Sequence, residues 1–299
     1  MTVRGVCPVL AVPFLENGDI DLDGFKNMTR HVLGTGVTAV MLFGFASEFY
    51  KLTDEERTQL RQALLQETRG HDDVTAIISI TDHATEVAVS KAREAVAGGA
   101  SALNILPPYL LGPSRGAIID HLAAILNAVD APVIIQYAPA LTGTNLDAPS
   151  LRGLAAAHSN LRMVKVESTP PGRLIADLAE GDPPLPALVG YAGVQLPDAL
   201  RRGAVGVQPG CSFTEVYVAL WRAWEAGEHD QALDLHRRML PYISYWMQHV
   251  ELIIQAEKTI LARRGIVASD RCRAPGWPLD REERAMIDYF LEEFESLLV

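Results

Sequence analysis

Lys165 is the residue whose type and setting could do covalent chemistry in this chain. It stands in Leu161-Arg162-Met163-Val164-Lys165-Val166-Glu167-Ser168, a mainly apolar run that reads as a short buried strand. Strand side chains alternate, so Met163, Lys165 and Glu167 share one face while Val164 and Val166 share the other. An ammonium in apolar surroundings is costly, and a neutral amine beside a bound carbonyl compound is what Schiff-base chemistry needs. The same pattern also fits a strand-end lysine that snorkels to water or pairs with a carboxylate. Tyr137 ends a second apolar run, Val133-Ile134-Ile135-Gln136-Tyr137. Near such an amine it could carry protons as general acid and base, or its hydroxyl could simply find a partner in the interior. A third stretch, Gly44-Phe45-Ala46-Ser47-Glu48, has small residues that let backbone amides approach a carboxylate, and Ser47 could add a hydroxyl. It reads equally well as a plain strand-to-helix loop, with Thr53 and Glu56 as a capping box for the next helix.

These residues need elements to hold them. Apolar runs recur at Val6–Val12, Ala39–Phe45, Val74–Ile80, Ala102–Leu106, Val133–Tyr137, Met163–Glu167, Ala187–Gly190 and Ala204–Val207. They lie on average about 28 residues apart, which suits repeated βα units. Between them Leu22–Leu33, Asp54–Glu67, Ala84–Ala97 and Arg115–Val129 carry apolar residues at helical spacing. Near-continuous apolar strands alternating with helices imply a parallel sheet, and eight such units imply an α/β fold, a closed (β/α)₈ TIM barrel. A doubly wound open sheet is the runner-up, but no Gly-x-Gly-x-x-Gly turn follows the first strand. The expected division is a barrel over 1–226 and an appended carboxyl-terminal helical subdomain over 227–299, with helices near His229–Val250, Glu251–Gly265 and Asp280–Leu298. Trp221, Trp224, Trp246 and Trp277 all fall in the last part, where core or interface packing is the expected use. If the barrel is right, its chemistry sits at the carboxyl ends of the strands, where Tyr137 and Lys165 both fall.

The bulk properties narrow the partners. A net charge of −11 and a pI near 5.2 argue against nucleic acid. The odd number of cysteines, Cys7, Cys211 and Cys272, shows no metal-ligand spacing and fits a reduced, cytoplasmic protein. No window holds the roughly 18 uninterrupted apolar residues of a membrane span, and Met1-Thr2-Val3-Arg4-Gly5-Val6 lacks the pattern of a signal peptide. A metal-dependent barrel hydrolase would need His, Asp and Glu clustered at strand ends, and His83 alone comes close after a strand.

Together the three stretches resemble the dihydrodipicolinate synthase and N-acetylneuraminate lyase family of class I aldolases and dehydratases. The resemblance covers almost the whole chain. It begins with Cys7-Pro8-Val9, Val12-Pro13-Phe14 and Gly18-Asp19-Ile20-Asp21. Gly44-Phe45-Ala46-Ser47-Glu48 with Leu52-Thr53-Asp54-Glu55-Glu56-Arg57 sits where the family has its Gly-x-x-Gly-Glu loop and following helix. Gly190, Arg202-Gly203-Ala204-Val205-Gly206, Arg264-Gly265 and Arg273-Ala274-Pro275 match later family segments. The resemblance implies Lys165 as the Schiff-base nucleophile and Tyr137 as the proton shuttle. It implies a 2-oxo acid held by the amides of Phe45, Ala46 and Ser47, with Tyr109, Gly190 and Val207 also in the binding site. No metal and no organic cofactor are implied, and the assembly would be a homotetramer, a dimer of dimers.

Departures from that pattern shape the expected activity. Phe45-Ala46 replace the Thr-Thr pair of family synthases, and Leu110 follows Tyr109 where a second tyrosine is common. After Tyr137 the synthases have Asn-x-Pro-Gly-Arg-Thr; here Ala138-Pro139-Ala140-Leu141-Thr142-Gly143 is one residue shorter and lacks the arginine. Val166 separates Lys165 from Glu167, which are adjacent in the family pattern. The expected enzyme is therefore a lyase acting on pyruvate or a sugar-derived 2-keto-3-deoxy acid, by aldol cleavage, condensation or dehydration. A dihydrodipicolinate synthase proper and a non-catalytic 2-oxo-acid sensor on the same fold are the alternatives.

Overall fold

The computed structural model describes residues 3–298; Met1 and Thr2 of the amino-terminal stretch read above, and Val299, lie outside them. Among the described residues eight strands form one sheet: β1 (Gly5–Val6), β2 (Ala39–Leu42), β3 (Thr75–Ile80), β4 (Ala102–Ile105), β5 (Val133–Tyr137), β6 (Leu161–Val166), β7 (Ala187–Val189) and β8 (Gly206–Val207). Their order is β1-β8-β7-β6-β5-β4-β3-β2, and the two ends of that order meet. Val9 bridges Met41 in parallel, Leu10 N–H donates to Met41 O at 2.8 Å, and Met41 N–H donates to Pro8 O at 2.9 Å. The fold is the expected (β/α)₈ TIM barrel, with further helices at the carboxyl terminus.

The first and last strands are shorter than the apolar runs suggested. Pro8 has no N–H for a ladder, so β1 stops at Val6 and resumes only as the single bridge at Val9. At the other end, Gly203 takes a left-handed φ of +96° and Ala204 N–H turns back to Ala199 O at 2.9 Å. That amide closes a helix end, and β8 begins two residues later.

The chain divides into two compact units. One is Thr75–Gln208 with the amino-terminal residues up to Arg4. It holds β3 to β8 with α3 (Thr85–Ala97), α4 (Arg115–Ala128), α5 (Pro139–Thr142), α6 (Ala148–Ala157), α7 (Gly172–Ala179) and α8 (Leu196–Arg201). Helix starts are set locally: Ser114 Oγ accepts from Ala117 N–H at 3.2 Å, and Asp147 Oδ1 accepts from Ser150 N–H at 2.9 Å. Residues such as Ile135, Val164 and Leu188 are completely buried, each stabilising the fold by about 1.5–3 kcal/mol.

The second unit joins Gly5–Val74 to Pro209–Val299. It contains β1, β2, α1 (Leu22–Gly34), α2 (Asp54–Glu67), α9 (Thr214–Glu225), α10 (His229–Trp246), α11 (Val250–Arg263) and α12 (Arg281–Glu293). The Thr53–Glu56 capping box forms as read, and Asp280 with Glu283 makes a second one at α12. The carboxyl-terminal helices pack on an aromatic cluster. Trp246 lies 5.4 Å from Phe290 and 6.2 Å from Phe213, centroid to centroid, at inclined angles that suit ring quadrupoles. Trp224 stacks on His229 at 4.3 Å, and Trp277 Nε1 donates to Glu283.

Candidate active site

Each of β3, β4, β5 and β6 is an apolar run interrupted by a polar side chain facing one common direction: Ser79, Asn104, Gln136 and Lys165. Asn104 Nδ2 donates to Ser79 Oγ and to Gln136 Oε1, both at 3.0 Å. Gln136 Nε2 donates to Glu167 Oε2 at 2.7 Å. The other carboxylate oxygen of Glu167 lies 3.4 Å from Lys165 Nζ. All five side chains are buried, and Lys165 is 4% exposed. Side-chain alternation on β6 therefore works as the sequence implied: Lys165 and Glu167 share a face, and the lysine has found a carboxylate.

The chain of contacts ends on the amine. Gln136 fixes one carboxylate oxygen at good hydrogen-bond distance and leaves the other at a looser ion-pair distance from Nζ. Such a pair can hand a proton to and from a group placed between its members. Gly190, beyond β7, makes the room: a Cβ there would overlap the Glu167 side chain. Its successors Tyr191 and Ala192 both take left-handed backbone angles, with φ of +51° and +48°, a strained pair directly after the glycine. Gly190 and Glu167 thus meet at the carboxyl ends of neighbouring strands. Val207, completely buried at the end of β8, pairs in register with Val189.

Tyr137 is placed differently from Lys165. The β5–β6 register sets Gln136 level with Lys165 and Tyr137 level with Val166. The Tyr137 hydroxyl takes a hydrogen bond from the Leu146 amide, and burial pushes its pKa up. The charges that act on it are those of Arg115 and Asp147, which pair with each other at 2.7 Å. Counting back from Pro139 and Thr142 agrees: the segment that looked one residue short has full length if it starts at Gln136. Tyr109 stands in the loop after β4 with its ring 4.8 Å from that of His83. A cavity of about 290 Å³ beside them is lined by His83, Thr85, Pro108, Leu110, Leu111 and His121, with neither Lys165 nor Glu167 in its wall.

Phe45, Ala46 and Ser47 belong to the other unit, where they form a short 3₁₀ turn after β2. Gly44 opens it because a Cβ would come within 2.8 Å of Met41 Cε and Val9 Cγ1. Ser47 Oγ gives its one hydrogen to Leu10 O at 2.6 Å and accepts from Phe43 N–H at 3.0 Å. The hydroxyl expected to bind a ligand is thus spent on holding the turn to the first strand. The Ser47 and Glu48 amides close the turn onto Gly44 and Phe45 carbonyls. The two leading amides, of Phe45 and Ala46, are not used in those bonds.

Two of these residues, Gln136 and Glu167, were not singled out for chemistry from the sequence. The signal was present. Four consecutive strands each carry a buried polar residue within an apolar run, Ser79, Asn104, Gln136 and Lys165, and such a row marks side chains that face a common interior.

Comparisons with known proteins match the chain to a family. The model of the dihydrodipicolinate synthetase family matches residues 2–294. L-2-keto-3-deoxyarabonate dehydratase of Azospirillum brasilense is 27% identical over 99% of this chain and 96% of its own length. 4-Hydroxy-tetrahydrodipicolinate synthase of Pelodictyon phaeoclathratiforme is also 27% identical, over 99% and 97%. Among solved structures, dihydrodipicolinate synthase from Rhodopseudomonas palustris superimposes with a TM-score of 0.89 at 24% identity, covering 97% of each chain. A prophage protein of the same family from E. coli K12, solved in complex with pyruvate, gives 0.89 at 23% identity over 99% of both chains.

Proposed function

The chain belongs to the dihydrodipicolinate synthetase family, and from that membership we propose that it is a lyase whose Lys165 forms an imine with a 2-oxo acid, a sugar-derived 2-keto-3-deoxy acid above all. The observation that carries the reading is the buried Lys165–Glu167–Gln136 chain at the carboxyl ends of β5 and β6. The lysine amine adds to the C2 carbonyl and water leaves, giving a protonated imine. That imine withdraws electrons from C3. Glu167, oriented by Gln136, takes a proton from C3, and the resulting enamine expels the C4 hydroxyl as water once that oxygen is protonated. In cleavage the C4 hydroxyl loses its proton instead, the C3–C4 bond breaks to release an aldehyde, and C3 of the remaining enamine takes up a proton to give the imine of pyruvate. Both routes end with hydrolysis of the imine.

Similarity to a keto-deoxy-sugar dehydratase along nearly the full length supports dehydration. Many relatives are synthases, so dihydrodipicolinate synthesis is the second reading; Phe45-Ala46 in place of the Thr-Thr pair speaks against it. Phe45 and Ala46, with Ser47 closing their turn, are proposed to hold the substrate carboxylate through backbone amides. Tyr109, Gly190 and Val207 are proposed to border the substrate, Gly190 through the space it gives Glu167. Tyr137 is the rival proton carrier. No helix among the described residues is long and apolar enough to cross a membrane. We place the enzyme in the cytoplasm as a homotetramer, a reading supported by Leu110 and Leu111, 75% and 93% exposed in the single chain.

Incubation with pyruvate, reduction with borohydride and intact-mass measurement test the imine. An adduct is expected on the wild type and none on Lys165→Ala; an adduct on both would mean another amine reacts. Turnover of 2-keto-3-deoxypentonate separates the routes, since dehydration keeps all carbons and cleavage releases pyruvate. Glu167→Gln should lower kcat by about 10²–10⁴, the usual worth of a general base. If Tyr137→Phe causes that loss and Glu167→Gln does not, the proton carrier is the tyrosine.

A further inference from the structure

The turn that carries Phe45, Ala46 and Ser47 is held from the carboxyl-terminal part of the same unit. Glu48, the residue after the turn, is completely buried and takes a left-handed backbone with φ +50°. It hinges the first 3₁₀ turn onto a second, Phe49–Lys51. Its Oε1 pairs with Lys258 Nζ of α11, itself 1% exposed. Its Oε2 pairs with Lys51 Nζ at 2.9 Å. Lys51 continues to Glu251 of α11 at 2.7 Å, and Glu251 accepts from the Tyr50 hydroxyl at 2.5 Å. Lys258 also donates to Arg271 O at 3.2 Å and sits 4.1 Å from the Phe14 ring centroid.

Glu251 and Lys258 are seven residues apart, two turns of one helix face. That face grips both 3₁₀ turns through two carboxylates and two ammonium groups, which balance in charge. The next residue back, Glu257, reaches another strand-end loop, where its Oε2 accepts from Ser212 N–H at 2.8 Å, and Gly210 leaves space for it. A left-handed glutamate is not a conformation the backbone chooses unaided. The buried lysine supplies the anchor that keeps Glu48 there, and Glu48 sets the peptide planes just before it.

We propose that Lys258, acting through Glu48, is a positioning residue that aims the Phe45 and Ala46 amides, so that a helix outside the minimal barrel sets the affinity for the substrate carboxylate. This rests on the carboxylate reading of the turn given above. Removing the anchor lets Glu48 relax, the turn rotates, and two amides lose their aim. Bound geometry suffers while the chemistry at Lys165 does not.

The test uses a charge-balanced double variant, Glu48→Gln with Lys258→Met, which removes both buried charges together and spares the fold the lone charge that a single variant would leave. The expected result is a KM for the 2-oxo acid raised about tenfold, with kcat within twofold of wild type. That is the signature of lost binding in the ground and transition states alike. An unchanged KM, or a fall in kcat alone, overturns the proposal. Should the double variant fail to fold, Glu251→Gln loosens only the outer half of the grip; a rise in KM of about threefold supports the proposal and no rise overturns it. Phe45→Pro against Phe45→Ala isolates the carboxylate reading, because proline fits the first position of the turn and removes just the amide. If these two variants share one KM, the carboxylate reading itself fails. If they differ while the double variant behaves as wild type, only the positioning role is lost.

Discussion

Two buried lysines with carboxylate partners occupy this protein, and they are built in opposite ways. Lys258 meets Glu48 in a tight pair, donates again to a backbone carbonyl and lies over an aromatic ring. Lys165 has one carboxylate at 3.4 Å, and that carboxylate is already claimed from its other side by Gln136. The first arrangement satisfies an ammonium and fixes a backbone. The second leaves an amine with room to react. Burial alone does not tell the two lysines apart; the slack in the partnership of Lys165 is what favours the proposed imine.

The comparison breaks most visibly at Lys165. Lys165→Ala should abolish adduct formation and lower turnover by about 10³ or more, since the proposed imine forms on that amine; turnover near wild type would end the imine reading. Stability should then separate the two lysines. Lys258→Met leaves Glu48 Oε1 without its ammonium partner, with Lys51 alone on the other oxygen, and should cost about 3 kcal/mol in denaturant unfolding. Lys165→Met should cost far less, because Glu167 keeps its Gln136 hydrogen bond. Equal costs for the two would erase the distinction. Gly190→Ala sharpens it from the other side. The new methyl must displace Glu167, and an overpacking penalty of about 1–3 kcal/mol should accompany a drop in kcat.

A smaller effect concerns a third ion pair, Arg273 with Glu56, which ties the carboxyl-terminal segment to the capping box of α2. Hydrogen bonds from the Arg273 guanidinium hold the Glu56 carboxyl down at about 2 instead of 4.5. A depressed folded-state pKa contributes stability that is complete above about pH 4.5 and is lost as pH falls through about 2. The gap in stability between wild type and Glu56→Gln, about 1 kcal/mol for a partly exposed pair, should close across that window. A gap that persists at pH 2 would contradict it.

The barrel was legible because its signals are local. Apolar runs, capping residues and glycine corners each sit within a few positions of the element they define, and α2 fell on Asp54–Glu67 as read. Lys165 was legible for the same reason, being one charge in an apolar strand. Register was not. Whether Gln136 or Tyr137 stands beside Lys165 depends on how β5 slides against β6, a one-residue question that apolar spacing leaves open. The grip of Lys258 on Glu48 was further out of reach, since the partners are 210 residues apart in the chain. Ser47 was open from its type, since a serine in a small-residue loop suits a ligand or a plain loop equally; its hydroxyl fastens the turn to Leu10 O.

The division of the chain has a consequence for how the protein is made. Apart from its short amino-terminal piece, the unit that holds Thr75–Gln208 is one stretch of chain carrying β3 to β8, so most of its contacts lie close in translation order. Those of the unit built from Gly5–Val74 and Pro209–Val299 do not, because its first strands wait for helices translated last. Until α11 emerges, Glu48 has only Lys51 of its own loop to pair with and lacks Lys258. The long interval between its two parts is an entropic delay that the ring of strands must absorb.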